Sequence, residues 1–298
     1  MVFHPPVQII AKTGDAGKYK TGLPWWNMIL RGFMSGAYIA MGGALATVCS
    51  TGVAGTTGGA ASAGFAALIT GAVFPVGLII TVLCGAELFT GDAMLAPMAA
   101  FIHKISWGAV LNLWVMVYIG NLIGSLVFAY IMAYGPFSAW NALGVGTVTS
   151  FGTRAIAIAA FKVQYVGMMG MWSAFLKAIG CNWLVNLAIL LGICADDLVG
   201  KFFGIWFPIM AFVSIGFEHS IANMYFIGAG IFTDGILANK TAGAAIAGIS
   251  TVGYNNLNWI GFWANNMIIV TIGNIIGGMV FVGILYWIAF RKEIAALK

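Results

Sequence analysis

Gly85-Ala86-Glu87-Leu88-Phe89-Thr90-Gly91-Asp92 and Gly216-Phe217-Glu218-His219-Ser220-Ile221-Ala222-Asn223 each interrupt a long apolar stretch of this chain. Each string follows a Phe-Pro pair, Phe74-Pro75 and Phe207-Pro208, and each has the form G-x-E-x-x-x-x-[D/N]. Matched, Gly- and Pro-interrupted hydrophobic segments in two halves of a chain are the sequence signature of a membrane transport site. Only the second copy carries a histidine, so the chemistry is expected to be asymmetric.

The surrounding composition fixes the solvent. The 298-residue chain is 61% hydrophobic and 7% charged, against about 25% charged for a soluble domain. Its mean hydropathy is +1.00. Gly32–Ala86, Ile105–Thr153 and Ala242–Phe290 contain no Asp, Glu, Lys or Arg, and a spanning helix needs roughly 20 apolar residues. The reading is one all-α transmembrane domain over residues 1–298, in contact with membrane lipid and without a sizeable soluble part.

Six spans are expected: about Trp25–Val48, Phe65–Ala99, Trp107–Tyr134, Gly170–Cys194, Phe202–Phe232 and Trp259–Phe290. The second and fifth contain the two interrupted strings, and the second is too long for one plain crossing. A Gly/Thr/Ala/Ser-rich linker, Ser50–Gly64, follows the first span. The segment from Gly135 to about Met169 has room for a short surface helix, and a loop, Thr233–Asn258, precedes the sixth span.

The net charge of +5 forms no patch interleaved with aromatics, so nucleic acid is not expected. The charges sit at span ends, as the positive-inside rule requires. With an inner N-terminus, the inner segments carry Lys12, Lys18, Lys20, Arg31, Lys104, Lys201, Arg291, Lys292 and Lys298. The outer loops carry Arg154, Lys162 and Lys240. Both termini are therefore expected in the cytoplasm, with the chain in the plasma membrane.

The halves repeat beyond the interruptions. Gly120-Asn121-Leu122-Ile123-Gly124 in span three matches Gly273-Asn274-Ile275-Ile276-Gly277 in span six, and Leu30-Arg31-Gly32 resembles Leu176-Lys177-Ala178 more weakly. Repeats over about 25–134 and 170–290, with three spans each, must lie in opposite orientations about a pseudo-two-fold axis in the membrane plane. The Gly-Asn-x-Ile-Gly strings themselves read as close helix packing.

His219 stands in apolar surroundings, preceded by Glu218; an ionisable group within a span points to a pathway, and an imidazole changes charge near physiological pH. Glu87 and Glu218 occupy matching positions. As a pair they suit acid/base or cation-ligand roles. The structural alternative is that each satisfies amide donors freed where its helix breaks, and the first copy's lack of a histidine favours it. Asp92 and Asn223 fit the same capping account. Leu78, Leu88, Phe89 and Phe212 lie near the interruptions and together suit hydrophobic constrictions. Cys49, Cys84, Cys181 and Cys194 are dispersed and read as packing residues; no metal ligand set, cofactor motif or enzyme site is recognisable.

With these strings in hand, the chain resembles the formate/nitrite transporter family. The most specific marks are Gly85–Thr90, Gly216-Phe217-Glu218-His219-Ser220-Ile221-Ala222-Asn223-Met224 and Val270-Thr271-Ile272-Gly273-Asn274-Ile275-Ile276-Gly277-Gly278, and the resemblance covers all six spans. It implies an aquaporin-like protomer with broken helices 2 and 5, a homopentamer with one pore per protomer, and small monovalent anions as substrates: formate first, then nitrite, hydrosulfide, acetate or lactate. It makes His219 the central pore histidine, with Thr90 and Asn186 as hydrogen-bonding neighbours. Leu78, Phe89 and Phe212 narrow the pore, with Leu88 beside them. Many members carry a Lys on the outer part of span four, where this chain has Met168-Met169-Gly170-Met171; Lys162 and Lys177 are near but do not align, and Lys177 is the nearer substitute.

A bare carboxylate entering a low-dielectric medium costs on the order of 20 kcal/mol by the Born estimate. Positive half-helix ends and a proton or hydrogen bond from His219 both lower that barrier, so channel and proton-coupled behaviour both remain open. The rival readings are weaker. A neutral-solute channel of aquaporin type lacks its Asn-Pro-Ala strings here, and an ammonium channel lacks a second pore histidine, since His4 and His103 fall in a tail and a loop.

Overall fold

The computed structural model describes residues 3–53, 60–237 and 249–296. Lys240 and Lys298, counted in the charge balance above, lie outside the described residues, as do residues 54–59 of the Ser50–Gly64 linker.

The described chain is helical apart from one small hairpin. In order, the elements are α1 (Pro6–Thr21), α2 (Trp25–Ser50), α3 (Ala60–Val73), α4 (Val76–Leu83), α5 (Phe89–Phe101), α6 (Trp107–Tyr134), β1 (Ser138–Trp140), β2 (Gly146–Val148), α7 (Ser150–Lys162), α8 (Gly167–Cys194), α9 (Leu198–Ile215), α10 (Ser220–Asp234), α11 (Thr251–Asn255) and α12 (Trp259–Ala296). Six helical stretches are long and apolar enough to cross a membrane: Trp25–Ser50, Ala63–Leu83, Trp107–Tyr134, Gly167–Cys194, Leu198–Ile215 and Trp259–Ala296. At about 1.5 Å per residue, the 28-residue helices α6 and α8 reach roughly 42 Å, enough for the hydrocarbon core and both interfaces.

The two quoted strings are where the helical path stops and restarts. After α4, Gly85 takes φ +73°, and after α9, Gly216 takes φ +81°. This left-handed conformation is cheap only for glycine. The chain then runs extended through Leu88 (φ −117°, ψ 118°) or His219 (φ −110°, ψ 116°) before α5 or α10 begins. The Gly of the G-x-E pattern is thus the residue that lets the helix end.

Glycine also sets the closest helix contacts. A Cβ at Gly120 of α6 would lie 2.3 Å from the Ile29 carbonyl of α2, and one at Gly273 of α12 would lie 2.8 Å from the Phe175 carbonyl of α8. These matched positions put α6 on α2 and α12 on α8 at backbone contact, as small residues do between membrane helices.

Four features differ from the expectations. The N-terminal tail is a helix: α1 buries Ile10, Thr13, Gly14 and Gly17 and packs on α5. The segment after α6 holds an antiparallel hairpin, with Ala139 opposite Thr147. Helix α7 is no surface helix. It buries Gly152, Ala155, Ile156, Ala159 and Ala160 and packs on α10. Finally, α12 carries two wider π-helical turns, Trp263–Met267 and Met279–Ile284, of the kind often found at functional sites.

Candidate functional site

Each restarted helix needs acceptors for its first amide groups, and two buried asparagines supply them. Asn121 on α6 accepts from Phe89 N–H at 3.0 Å and donates to the Gly32 and Glu87 carbonyls at 2.8 and 3.0 Å. Asn274 on α12 accepts from Ser220 N–H at 2.8 Å and donates to the Ala178 and Glu218 carbonyls at 2.8 and 3.0 Å. The two glutamate amides complete the match: Glu87 N–H donates to Arg31 O at 3.2 Å and Glu218 N–H to Lys177 O at 3.4 Å. The Gly-Asn-x-Ile-Gly strings therefore do more than pack, and the Arg31-Gly32/Lys177-Ala178 resemblance marks the carbonyls that hold each break.

The carboxylates do something else than the capping account assigns them. Glu87 is buried and ion-paired with Lys20 of α1, with Arg31 at 3.6 Å; Asp92 also meets Lys20, at 3.0 Å. Glu218 is fully buried. It accepts from Lys162 of α7 at 2.8 Å, from Tyr165 OH at 2.9 Å and from Asn223 Nδ2 at 2.6 Å. Asn223 also donates to Asn266 Oδ1, at 2.9 Å, in the first π-helical turn of α12. Neither Asp92 nor Asn223 caps its helix. The carboxylates anchor α1, which the sequence does not announce, and α7, expected only as a short surface helix, to the two half-helices.

His219 is the capping residue of α10: its Nδ1 accepts from Ala222 N–H at 3.0 Å. Its Nε2 lies 2.9 Å from Thr90 Oγ1, at the second residue of α5. Ala222 N–H can only donate, so Nδ1 is the unprotonated nitrogen and the neutral ring carries its proton on Nε2. The imidazole is 3% exposed. Asn186 does not reach the ring. Its Nδ2 donates to the Thr90 carbonyl at 3.1 Å, beside Asn182, a residue the sequence reading passed over, whose Nδ2 reaches the same carbonyl at 3.0 Å.

Space is arranged in three linked parts around this pair. A cavity of about 360 Å³ is lined by Arg154, Lys162, Phe74, Phe212, Asn223 and His219 among others. A cavity of about 240 Å³ on the Lys20 side is lined by Lys20, Arg31, Glu87, Leu78 and Leu88 among others. Between them lies an apolar void too narrow for a water-sized sphere, lined by Ile39, Phe74, Leu78, Leu88, Val185, Ile209, Phe212 and His219. Phe74, Phe212 and His219 border both the void and the first cavity; Leu78 and Leu88 border both the void and the second.

Phe89 is not part of this constriction. Its ring turns to α6, with centroids 4.9 Å from Tyr118 and 6.1 Å from Trp114. Phe74 takes the place expected of it, edge-on to Phe212 at 5.9 Å. The two lysines also change roles. Lys162, at the end of α7, lines the larger cavity, whereas Lys177 donates to Tyr165 OH at 3.1 Å and lies over the Phe161 and Tyr165 rings. Burial, followed by the charge of Glu218, pushes the Tyr165 phenol up, so it remains a donor. Among the described residues, no cluster of His, Cys, Asp and Glu is arranged to hold a metal ion.

Comparison with known proteins shows the family. Residues 7–288 match the formate/nitrite transporter family. The chain is 40% identical over 301 aligned residues to a protein of Methanothermobacter thermautotrophicus described as a "probable formate transporter", with 98% of each chain covered. It is 35% identical, over the whole of both chains, to a formate channel of Bacillus thuringiensis. A solved pentameric formate channel with formate bound superposes with a TM-score of 0.71 at 33% identity, covering 90% of this chain and 98% of that one. The chain belongs to the formate/nitrite transporter family, a class of multi-pass membrane transporters rather than enzymes.

Proposed function

We propose that this protein carries small monovalent anions, formate foremost, across the plasma membrane through a pore in each protomer of a homopentamer. The path runs from the Lys162-side cavity, past His219, through the Phe74/Leu78/Leu88/Phe212 constriction, to the Lys20-side cavity. The observation that carries the reading is the His219–Thr90 pair, 2.9 Å apart, the polar contact bordering an otherwise apolar narrowing between two water-sized spaces. The names of the relatives support formate as the first substrate. The repeats, extended by α1 and α7, are read as two inverted units. Both termini are cytoplasmic, which makes the Lys162 side the outer one and the Lys20 side the inner one.

The chemistry follows from the ring's fixed face. With Nδ1 engaged as a cap, neutral His219 offers an Nε2–H, and the Thr90 hydroxyl is free to turn. Both can donate to an anion at the mouth of the constriction, replacing part of the water it loses. Passing a proton to the anion from Nε2 needs the ring to gain one at Nδ1, which displaces the Ala222 N–H bond. Proton coupling is therefore linked to a loosening of the first turn of α10. Counterflow in proteoliposomes with formate, nitrite, hydrosulfide, acetate and lactate, beside glycerol and methylammonium, tests the reading. Saturable formate exchange is expected; flux of the neutral or cationic solutes without formate flux refutes it.

A further inference from the structure

We propose that Arg154 is the anion-capture residue of the outer cavity, where its guanidinium fork selects planar two-oxygen anions before they reach Lys162 and His219. The inference rests on the anion-pore reading above. Arg154 lines the outer cavity from α7. It makes no hydrogen bond or ion pair with any described residue, and its Nε is shut off from solvent without an acceptor. An enclosed guanidinium N–H of this kind is open to an acceptor that enters the cavity, and an anion is the strongest such acceptor. Among the described residues, no Asp or Glu carboxylate lies within ion-pair distance of it.

The neighbouring charges sharpen the point. At the inner cavity two cations, Lys20 and Arg31, face two carboxylates, Glu87 and Asp92. At the outer cavity Lys162 is matched by Glu218, and Arg154 stands over and above that pair. The outer cavity alone carries an unbalanced positive charge inside low-dielectric walls, which concentrates anions locally. Ile158 and Lys162 follow Arg154 at i+4 and i+8 on the same face of α7. The capture point therefore sits about 12 Å along the helix from Lys162, a first station before the histidine. A guanidinium presents two parallel N–H groups that match two oxygens; an ammonium does not.

The test is formate uptake into proteoliposomes at low and high ionic strength for the wild type, Arg154→Gln and Arg154→Lys, each first checked for assembly. Arg154→Gln is expected to raise KM for formate about tenfold, with maximal rate within about twofold and with the ionic-strength dependence flattened. Arg154→Lys is expected to keep that dependence but lose preference for formate and nitrite over hydrosulfide. Wild-type KM and salt dependence in Arg154→Gln overturn the proposal; if that variant does not assemble, unchanged KM for both formate and hydrosulfide in Arg154→Lys overturns it. A wild type that carries no anion at all refutes the pore reading instead, whatever the variants do.

Discussion

His219 Nε2 lies 2.9 Å from Thr90 Oγ1, so the cap of α10 and the second residue of α5 are joined side chain to side chain, 129 positions apart in the chain. The ring does two separable jobs: Nδ1 caps α10 and Nε2 faces Thr90. His219→Asn keeps a capping oxygen but is too short to replace Nε2, while His219→Phe loses both. Thermal unfolding is expected to rank Phe below Asn by about 1 kcal/mol, the worth of a cap. Formate flux in both is expected to lose the pH dependence of the wild type. Equal stability of the two variants would remove the cap, and an unchanged pH profile would remove His219 from transport.

The constriction separates rings that the sequence cannot tell apart. Phe212 borders the central void with its ring centroid 5.7 Å from that of His219, whereas Phe89 is turned to Tyr118 and Trp114. Phe212→Ala is expected to admit larger anions, read as lactate flux relative to formate. Phe89→Ala is expected to cost about 3 kcal/mol of stability without changing that ratio. A wider size range in Phe89→Ala and none in Phe212→Ala would reverse the assignment.

Much of this was legible before any coordinates. Gly85 and Gly216 announce the left-handed stops, long uncharged runs announce the spans, and His219 is conspicuous as an imidazole within an apolar span. What spacing cannot give is azimuth. A break resets the helical phase, so adjacent Leu88 and Phe89 point to opposite sides, and only packing decides which faces the void. Helix α1 hides for a different reason. It has no long apolar run, and its docking relies on Gly14 and Gly17 approaching α5, where added Cβ atoms would meet Ile102 and Leu95. Lys162 hides because it reaches Glu218 from the end of α7 rather than from span four, so counting back from Asn186 misses it.

Helix α1 is held by Lys20, whose ammonium is buried between Glu87 and Asp92. Burial opposes its charge, but Asp92 and Glu87 outweigh that and hold it above the ordinary lysine range. A raised folded-state value means its stabilisation is complete below about pH 10.4, the unfolded value, and is lost only as pH climbs through the folded one. Hydrogen-exchange protection of residues 6–21 is expected to fall in strong alkali in the wild type and to persist in Lys20→Arg, whose guanidinium stays charged. Lys20→Met leaves buried Asp92 without a cation and Glu87 with Arg31 alone, at 3.6 Å, and is expected to cost about 3–5 kcal/mol at neutral pH. Alkaline loss of protection at the same pH in wild type and Lys20→Arg would show that another group controls the docking.

The asparagine clamps make the firmest stability prediction. Asn274 is fully buried and makes three bonds, to Ser220 N–H, Ala178 O and Glu218 O; Asn121 makes the matching three at the other break. Truncation strands backbone groups at membrane depth, where water cannot replace the lost partner. At about 1–3 kcal/mol for each stranded group, Asn274→Ala and Asn121→Ala are each expected to cost on the order of 3 kcal/mol or more. Asn274→Asp is nearly isosteric, yet it should cost at least as much. It keeps the acceptor but turns two donors into a charged oxygen facing two carbonyls. Asn112→Ala, whose amide among the described residues meets only Met28 Sδ at 3.8 Å, is the control and is expected within about 0.5 kcal/mol of wild type. Chemical or thermal unfolding of the purified assembly ranks the four; clamp variants as stable as Asn112→Ala would mean that glycine packing alone holds the two breaks in place.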